Sequence, residues 1–261
     1  MAAIIALLTD FGTADPYLGA MKGAILSACP EATLVDLVHE LPPHDVLAGA
    51  LALDAAYPAF PEGTVFAAVV DPGVGSARRG LALRAGAHLF VGPDNGLFTL
   101  VLRDQPQARV HAIENAGLFR SPVSPVFHGR DVFGPVAGRL ACGLAMAEVG
   151  PRIEDPVALD LPEPRPLGAD EWEAAVLHVD RFGNLTTSLP GRALGGARAV
   201  EVVVGGVAVP FVRTYSDVAP GGLCALVGSS GRLEVAVREE SARERLGAEE
   251  GSLVRVRIRR G

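Results

Sequence analysis

The stretch Pro151-Arg-Ile-Glu-Asp-Pro156-Val-Ala-Leu-Asp-Leu-Pro162-Glu-Pro164-Arg-Pro166-Leu-Gly168 carries five prolines and divides the chain into two halves of different character. Proline fixes φ and has no N–H to give to a ladder, so a segment this rich in it reads as an extended connector. Upstream, strand and helix patterns alternate. Ile4-Ile5-Ala6-Leu7-Leu8 is a short apolar run suited to a strand covered on both faces. Asp15-Pro16 opens a helix whose Leu18, Met21, Ile25 and Leu26 fall near helical spacing. Thr33 to Val38 reads as a strand, Asp45 to Tyr57 as a helix, and Thr64 to Val70 as the strongest strand of the chain. Leu81 to Arg84 and His88 to Val91 follow as short strands, Asp94-Asn95-Gly96 as a turn, and Asp131 to Leu144 as a closing helix. This order predicts an α/β domain over 1–165 with a mainly parallel sheet, residues 151–168 forming the linker at its end.

Downstream the pattern is mostly strands. Ala174 to Val179, Ala199 to Val204, Val207 to Val212, Leu223 to Val227 and Leu233 to Val237 are short and separated by Gly or Pro, with Gly205-Gly206 as a hairpin turn. Leu253 to Arg259 alternates Val254, Val256 and Ile258 with Arg255, Arg257 and Arg259, a half-buried strand with a solvated basic face or, alternatively, an anion-binding stripe. Residues 169–261 are therefore expected to form a smaller β domain.

Composition narrows the chemistry. The 261 residues carry a net charge of −7, and Lys22 is the single lysine among 23 basic residues. It follows Met21, so no phosphate loop of the G-x-x-x-x-G-K-[ST] type exists, and Schiff-base chemistry would have Lys22 or nothing. An acidic chain is also a poor nucleic-acid ligand. Cys29, Cys142 and Cys224 are odd in number and far apart, which argues against a disulfide framework or a zinc site and for three buried thiols in a reducing compartment. No apolar run approaches a membrane span, and Ala2 to Leu8 is expected to be a first strand rather than a signal peptide, so a cytoplasmic protein is expected.

Several segments carry candidate chemistry. Asp10 follows the first strand, where a carboxylate can accept two hydrogen bonds from a ribose diol or simply cap the next turn. Asp71-Pro72-Gly73-Val74-Gly75-Ser76-Ala77-Arg78 follows the strongest strand; its glycines lack the dinucleotide spacing, but a bend there can bring Arg78 back to Asp71, as a functional or a structural pair. His128, between Pro125 and Gly129, can face a cleft or serve the core. His39-Glu40-Leu41-Pro42-Pro43-His44 fails as a metalloprotease motif on spacing and on its prolines, and no metal site is expected. Asn184, in Asp180-Arg181-Phe182-Gly183-Asn184, can read a base edge, and Ser229 with Ser230 can hold a carboxylate; plain turn chemistry is the competing reading for both.

Taken together these segments resemble one family. Leu8-Thr9-Asp10-Phe11-Gly12, Asp15-Pro16-Tyr17, Met21-Lys22-Gly23, Val69-Val70-Asp71-Pro72-Gly73-Val74-Gly75, Gly92-Pro93-Asp94-Asn95-Gly96, Phe127-His128-Gly129-Arg130-Asp131, Phe182-Gly183-Asn184 and Ser229-Ser230-Gly231 look like the motifs, in order, of the S-adenosylmethionine hydroxide adenosyltransferases, relatives of the fluorinase and chlorinase. The resemblance implies an α/β domain followed by a β-barrel-like one, and a homotrimer whose ligand lies between subunits. It implies displacement at the 5′ carbon of S-adenosyl-L-methionine, without cofactor, giving L-methionine and, with water as nucleophile, adenosine. The implied water-holding set maps onto Asp71, Arg78 and His128, with the proton acceptor open between His128 and Asp71. Asp10 resembles the ribose ligand, Asp15 and Asp180 contacts to the methionine end, Asn184 the adenine reader beside Phe182, and Ser229 and Ser230 the carboxylate holders.

Two alternatives stand beside hydrolysis: a halide (chloride) adenosyltransferase, and a non-catalytic adenosine or S-adenosylmethionine sensor. In the halogenating members an aromatic residue replaces the Asp, a longer insertion follows the DPGVG-like segment, and the fluorinase has Ser where Gly129 stands. The retained Asp71, Arg78 and His128 favour hydroxide and catalysis.

Overall fold

The computed structural model describes residues 3–195 and 199–259, which group into two compact units, Met1–Leu159 and Asp160–Gly261. The first contains β1 (Ile4–Thr9), α1 (Tyr17–Ala28), β2 (Thr33–Val38), α2 (Val46–Ala56), β3 (Val65–Val69), β4 (Gly80–Ala85), β5 (His88–Pro93), α3 (Thr99–Asp104), β6 (Arg109–Ala112), α4 (Gly134–Ala141) and β7 (Arg152–Ile153). Its seven-stranded sheet runs β2-β1-β3-β5-β4-β6-β7. The strands β2, β1, β3 and β5 are parallel, and β4, β6 and β7 extend the sheet antiparallel.

The apolar run of β1 is covered on both faces. Ile5 and Leu7 pack with Met21 and Ile25 of α1 and with Val136 and Leu140 of α4. Ala6 and Leu8 pack on the other side with Leu53 of α2, Phe66 and Phe90. Burying each large aliphatic side chain contributes about 1.5–3 kcal/mol, so strand and helices hold one another in place. After β1 the chain pairs β2 on one side of it, and β3 lies on the other. Between the carboxyl ends of β1 and β3 the strand order reverses, and ligands of open α/β sheets bind in that crevice.

The second unit contains β8 (Arg165–Gly168), β9 (Glu171–Val179), β10 (Leu185–Pro190), β11 (Ala199–Val204), β12 (Val207–Pro210), β13 (Leu223–Val227), β14 (Arg232–Val237), α5 (Ala242–Leu246) and β15 (Leu253–Arg259). Its antiparallel sheet runs β12-β11-β15-β9-β10-β14-β13, with β8 on β9, and a bridge from Phe211 to Ala225 nearly closes it into a barrel. Gly205 and Gly206 both have positive φ, as the tight β11–β12 hairpin requires. In β15, Val254, Val256 and Ile258 are buried, and the alternate arginines reach acids on neighbouring strands: Arg255 faces Glu173, and Arg257 faces Glu171 and Glu201. Two of the three arginines of this face thus have acids beside them, which favours the solvated-face reading over an anion stripe.

Besides adding α3, β6, β10 and α5, which the sequence reading did not contain, the structure departs from that reading in three ways. The proline-rich stretch is not all connector: Arg152–Ile153 pairs with β6 and Arg165–Gly168 with β9, where Pro166 is tolerated because β8 has a neighbour on one side only. The closing helix is broken in two, a π-helical turn at Gly129–Phe133 leading into α4, which carries Pro135 in its first turn. Finally, Cys29, at the end of α1, and Cys142, at the end of α4, form a disulfide, and only Cys224 is a free buried thiol. Spacing could not reveal this, because the helices that present the two sulfurs are brought together by the core. No helix among the described residues is long and apolar enough to cross a membrane.

A bond closing a 113-residue loop restricts the unfolded chain, by about 5 kcal/mol in the chain-entropy picture. Reductant is expected to lower the urea midpoint of the parent and to leave the Cys142→Ser variant, which lacks the bond, unchanged. Equal midpoints for the oxidised parent and Cys142→Ser would show that the bond contributes nothing.

Candidate active site

Beyond β3 the loop from Asp71 to Ser76 turns back on itself and brings Arg78 onto Asp71. The Arg78 guanidinium donates from Nε to Asp71 Oδ1 at 2.9 Å and from Nη2 to Asp71 Oδ2. The same Nη2 donates to His128 Nδ1 at 2.9 Å, and the guanidinium lies 5.0 Å from the Phe133 ring. Arg78 and Asp71 are both largely withdrawn from water, their side chains 12% and 5% exposed. The bend needs glycine at residue 75: φ is +79°, and a Cβ there would lie 2.5 Å from the Pro125 carbonyl oxygen. The loop of Arg78 and the loop of His128 therefore touch backbone to backbone.

His128 stands at the start of the π turn, a local widening of helices that recurs at functional sites. The loop before it is pinned by Asp131, which is buried and accepts from Arg130 Nε and Nη2 at 2.7 Å and from the Ser124 N–H at 2.9 Å. The Arg130 hydrogen bonds hold the Asp131 carboxyl below its ordinary range. At Gly129 a Cβ would lie 2.9 Å from the Phe11 ring, so a side chain here has to displace that ring. Phe11, Tyr17 and Phe127 form an edge-to-face trio, with centroids 5.4–6.4 Å apart.

Because a guanidinium only donates, His128 Nδ1 is an acceptor, and the neutral imidazole carries its proton on Nε2. Burial, then the Arg78 charge, lower its pKa, against weaker pulls from Asp71 and Asp131. His128 is therefore a neutral Nε2–H donor near neutral pH. Asp71 keeps unshared lone pairs on both oxygens beside a fixed cation, so an acceptor and a donor flank one guanidinium.

The other residues of this unit are placed individually. Asp10, just past β1, accepts at Oδ2 from the His44 N–H at 2.8 Å, and His44 itself has a strained φ of 69°. Its turn is braced by a relay: Lys22 to Asp36, Asp36 to His39 Nε2, and His39 Nδ1 to the Thr9 hydroxyl. Asp15 is exposed at the entry to α1.

The remaining candidates lie in the second unit. Asp180 Oδ1 accepts from the Phe182 and Asn184 N–H groups, and Oδ2 accepts from Asn184 Nδ2, so Asp180 builds the turn that aims the Asn184 amide. Asp180, Phe182, Asn184, Tyr215, Ser229 and Glu234 share one cavity of about 920 Å3. Ser230, the next residue, is half-buried in the turn and is not among the residues that line it. Phe182 and Tyr215 are exposed aromatic rings on this cavity. Sequence reasoning missed Tyr215 and Glu234, because a tyrosine in a loop and a glutamate in a strand carry no motif of their own.

The chain is similar to known proteins along most of its length. Family models for the N- and C-terminal domains of the SAM hydroxide adenosyltransferases match residues 5–150 and 174–255. An (R)-S-adenosyl-L-methionine hydrolase of Thermus thermophilus is 44% identical, over 95% of this chain and 97% of its own. A fluorinase of an Actinoplanes species is 29% identical, over 82% and 83%. A crystal structure of an uncharacterized conserved protein from Thermotoga maritima superposes with a TM-score of 0.89 at 34% identity, covering 97% of this chain and 99% of that one.

The site makes a prediction about His128. Its folded-state pKa lies below the ordinary 6.5. As the pH falls below that value the unfolded chain takes the proton first, so stability from this group is lost on the acid side and untouched above. Imidazole NMR is expected to show His128 titrating below 6.5, and higher in Arg78→Ala, where the repelling charge is gone and Asp71 and Asp131 remain. A value unmoved or lowered by Arg78→Ala would contradict the arrangement.

Proposed function

This chain belongs to the SAM hydroxide adenosyltransferase family, and we propose that it is a hydrolase converting S-adenosyl-L-methionine and water into adenosine and L-methionine. The observation that carries this reading is the direct contact of Arg78 with both Asp71 and His128. In the reaction the water oxygen forms a bond to the 5′ carbon, and the bond from that carbon to the sulfonium breaks. The sulfur keeps the electron pair and leaves as a neutral thioether, so the leaving group needs no acid. The water must lose one proton, and its pKa of about 15.7 makes that the demanding step.

Three groups supply what the step needs. The Asp71 carboxylate accepts a hydrogen bond from the water and then its proton, since His128 Nδ1 is already occupied by Arg78. The His128 Nε2–H donates to the same oxygen and turns a lone pair toward the carbon. Arg78 steadies the charge that develops, in a setting nearly free of solvent. In the second unit, Phe182 and Tyr215 offer ring faces to the adenine, the Asn184 amide its donor and acceptor to the base edge, and Ser229 a hydroxyl. Asp10 takes the ribose diol through the oxygen that His44 leaves free. Asp15 and Asp180 are assigned to the methionine end, and Ser230 to the carboxylate through its turn.

The reading uses no metal and no organic cofactor. The candidate residues are divided between two units, which supports a homotrimer with the ligand shared between subunits. The substrate is an intracellular metabolite, so a cytoplasmic place is proposed on that ground; the Cys29–Cys142 bond removes the support that free thiols lent it. Gly129 sits against Phe11, where a side chain has to displace the ring, and the absence of a hydroxyl there supports water over halide.

Incubation with S-adenosyl-L-methionine in ¹⁸O-labelled water is expected to place the label in the 5′-hydroxyl of adenosine. Chloride in place of an inert anion should yield no 5′-chloro-5′-deoxyadenosine; if it does, the halide reading replaces this one. Binding measured by calorimetry with no product over hours would make the protein a sensor. Arg78→Ala is expected to lower turnover by about 100-fold or more while adenosine still binds, and full activity in that variant would remove the water-holding set.

A further inference from the structure

In β14 the side chains alternate between two surroundings. Leu233, Val235 and Val237 enter the barrel core, while Ala236 packs on the opposite side with Cys224 and Leu226. Glu234 shares that second face. It is 8% exposed, on a face where Leu226 and Ala236 are apolar and Cys224 offers only a weakly donating thiol. An unpaired carboxyl among such neighbours costs several kcal/mol, so its retention calls for a partner. The partner is Tyr215, whose phenol donates to Glu234 Oε1 at 2.5 Å.

The second oxygen lies close beneath a glycine turn. A Cβ at Gly228 would lie 2.6 Å from Glu234 Oε2, so the turn Gly228-Ser229-Ser230-Gly231 folds directly over the carboxyl. One buried side chain thus touches both the ring of Tyr215 and the turn that presents Ser229, and both line the cavity that also holds Phe182 and Asn184. Burial raises the Glu234 pKa, against the lowering pull of the Tyr215 hydrogen bond and with some repulsion from Asp180, while burial and the Glu234 contact raise that of the Tyr215 phenol, so Tyr215 stays the donor of the pair.

We propose that Glu234 is the positioning residue of the adenosyl pocket, one oxygen fixing the Tyr215 ring through its hydroxyl and the other setting the turn of Ser229. The inference rests on the adenosine-forming reading of the same cavity. Glu234 touches no reacting atom. It acts through Tyr215, holding the ring as a preformed surface on which the base stacks, so that binding does not have to order it.

The test compares Glu234→Ala, Glu234→Gln and Tyr215→Phe, alone and combined, in the full-length protein, after thermal melts show that each folds. Glu234→Ala is expected to weaken adenosine binding by about tenfold and to raise KM for S-adenosyl-L-methionine to match, with kcat held within about twofold. Glu234→Gln keeps an acceptor oxygen and the side-chain volume, and is expected to restore binding to within about threefold of the parent. Tyr215→Phe keeps the ring but loses the hydroxyl, and in combination with Glu234→Ala it should add little further loss, because the two act as one unit. Unaltered adenosine binding in Glu234→Ala, or losses that multiply in the double variant, would overturn the assignment. A parent that binds adenosine but makes none from S-adenosyl-L-methionine defeats the hydrolase reading alone, since the binding comparison still decides on Glu234. A parent that binds no adenosine defeats both.

Discussion

The first unit is arranged around one guanidinium. Arg78 gives two hydrogen bonds to Asp71 and one to His128 and lies against the Phe133 ring, with little water around it. Taking an ion pair out of water costs several kcal/mol per ion before geometry repays it, and an apolar replacement of similar volume often folds as well. A pair kept under that cost has work to do beyond holding the chain. Removing either partner leaves a charge buried alone, so the two residues are fixed as a pair by physics as well as by chemistry. The third contact has a different effect, because it decides which nitrogen of His128 bears a proton.

That contact depends on how closely two loops approach. Gly75 carries the left-handed backbone and the missing Cβ that let the Asp71 loop meet the Pro125 carbonyl. Asp131 gathers the Arg130 guanidinium and the Ser124 amide, which gives the opposing loop its shape, and the π turn then starts at the right place to present His128. Beneath both loops, β1 and β3 end side by side where the strand order reverses. The site is a consequence of sheet topology at one level and of single missing side chains at the next.

Legibility in the sequence follows from how local each feature is. The strands β1 and β3 were readable because Ile4 to Leu8 and Val65 to Val69 are uninterrupted apolar runs, and β15 because its alternation is strict. The strand β10, Leu-Thr-Thr-Ser-Leu-Pro, was not, since its Thr187 and Ser188 are buried polar residues whose hydrogen bonds are visible only in the folded sheet. The pairs that matter most are non-local: Arg78 and His128 lie 50 residues apart, Cys29 and Cys142 113, and Tyr215 and Glu234 19. Residue reasoning could pair Arg78 with Asp71 across the glycine-rich bend but left His128 at a separate loop, and only the family resemblance joined His128 to them before the structure brought all three into contact. No such help existed for Glu234, which reads on the page as a solvated charge in a strand.

The scarcity of lysine gains a sharper meaning from this geometry. The single lysine is committed to Asp36 and, through His39, to the turn that carries Asp10. An ammonium at position 78 could not replace the guanidinium, because one nitrogen on a flexible stem cannot face both carboxylate oxygens and an imidazole nitrogen in a single plane. A planar fork does so with little further ordering, and its flat face remains available to the Phe133 ring. The second unit shows the contrasting solution. There the buried acid of the pocket is met by a phenol rather than by a cation, which leaves the cavity with acidic groups at Asp180 and Glu234.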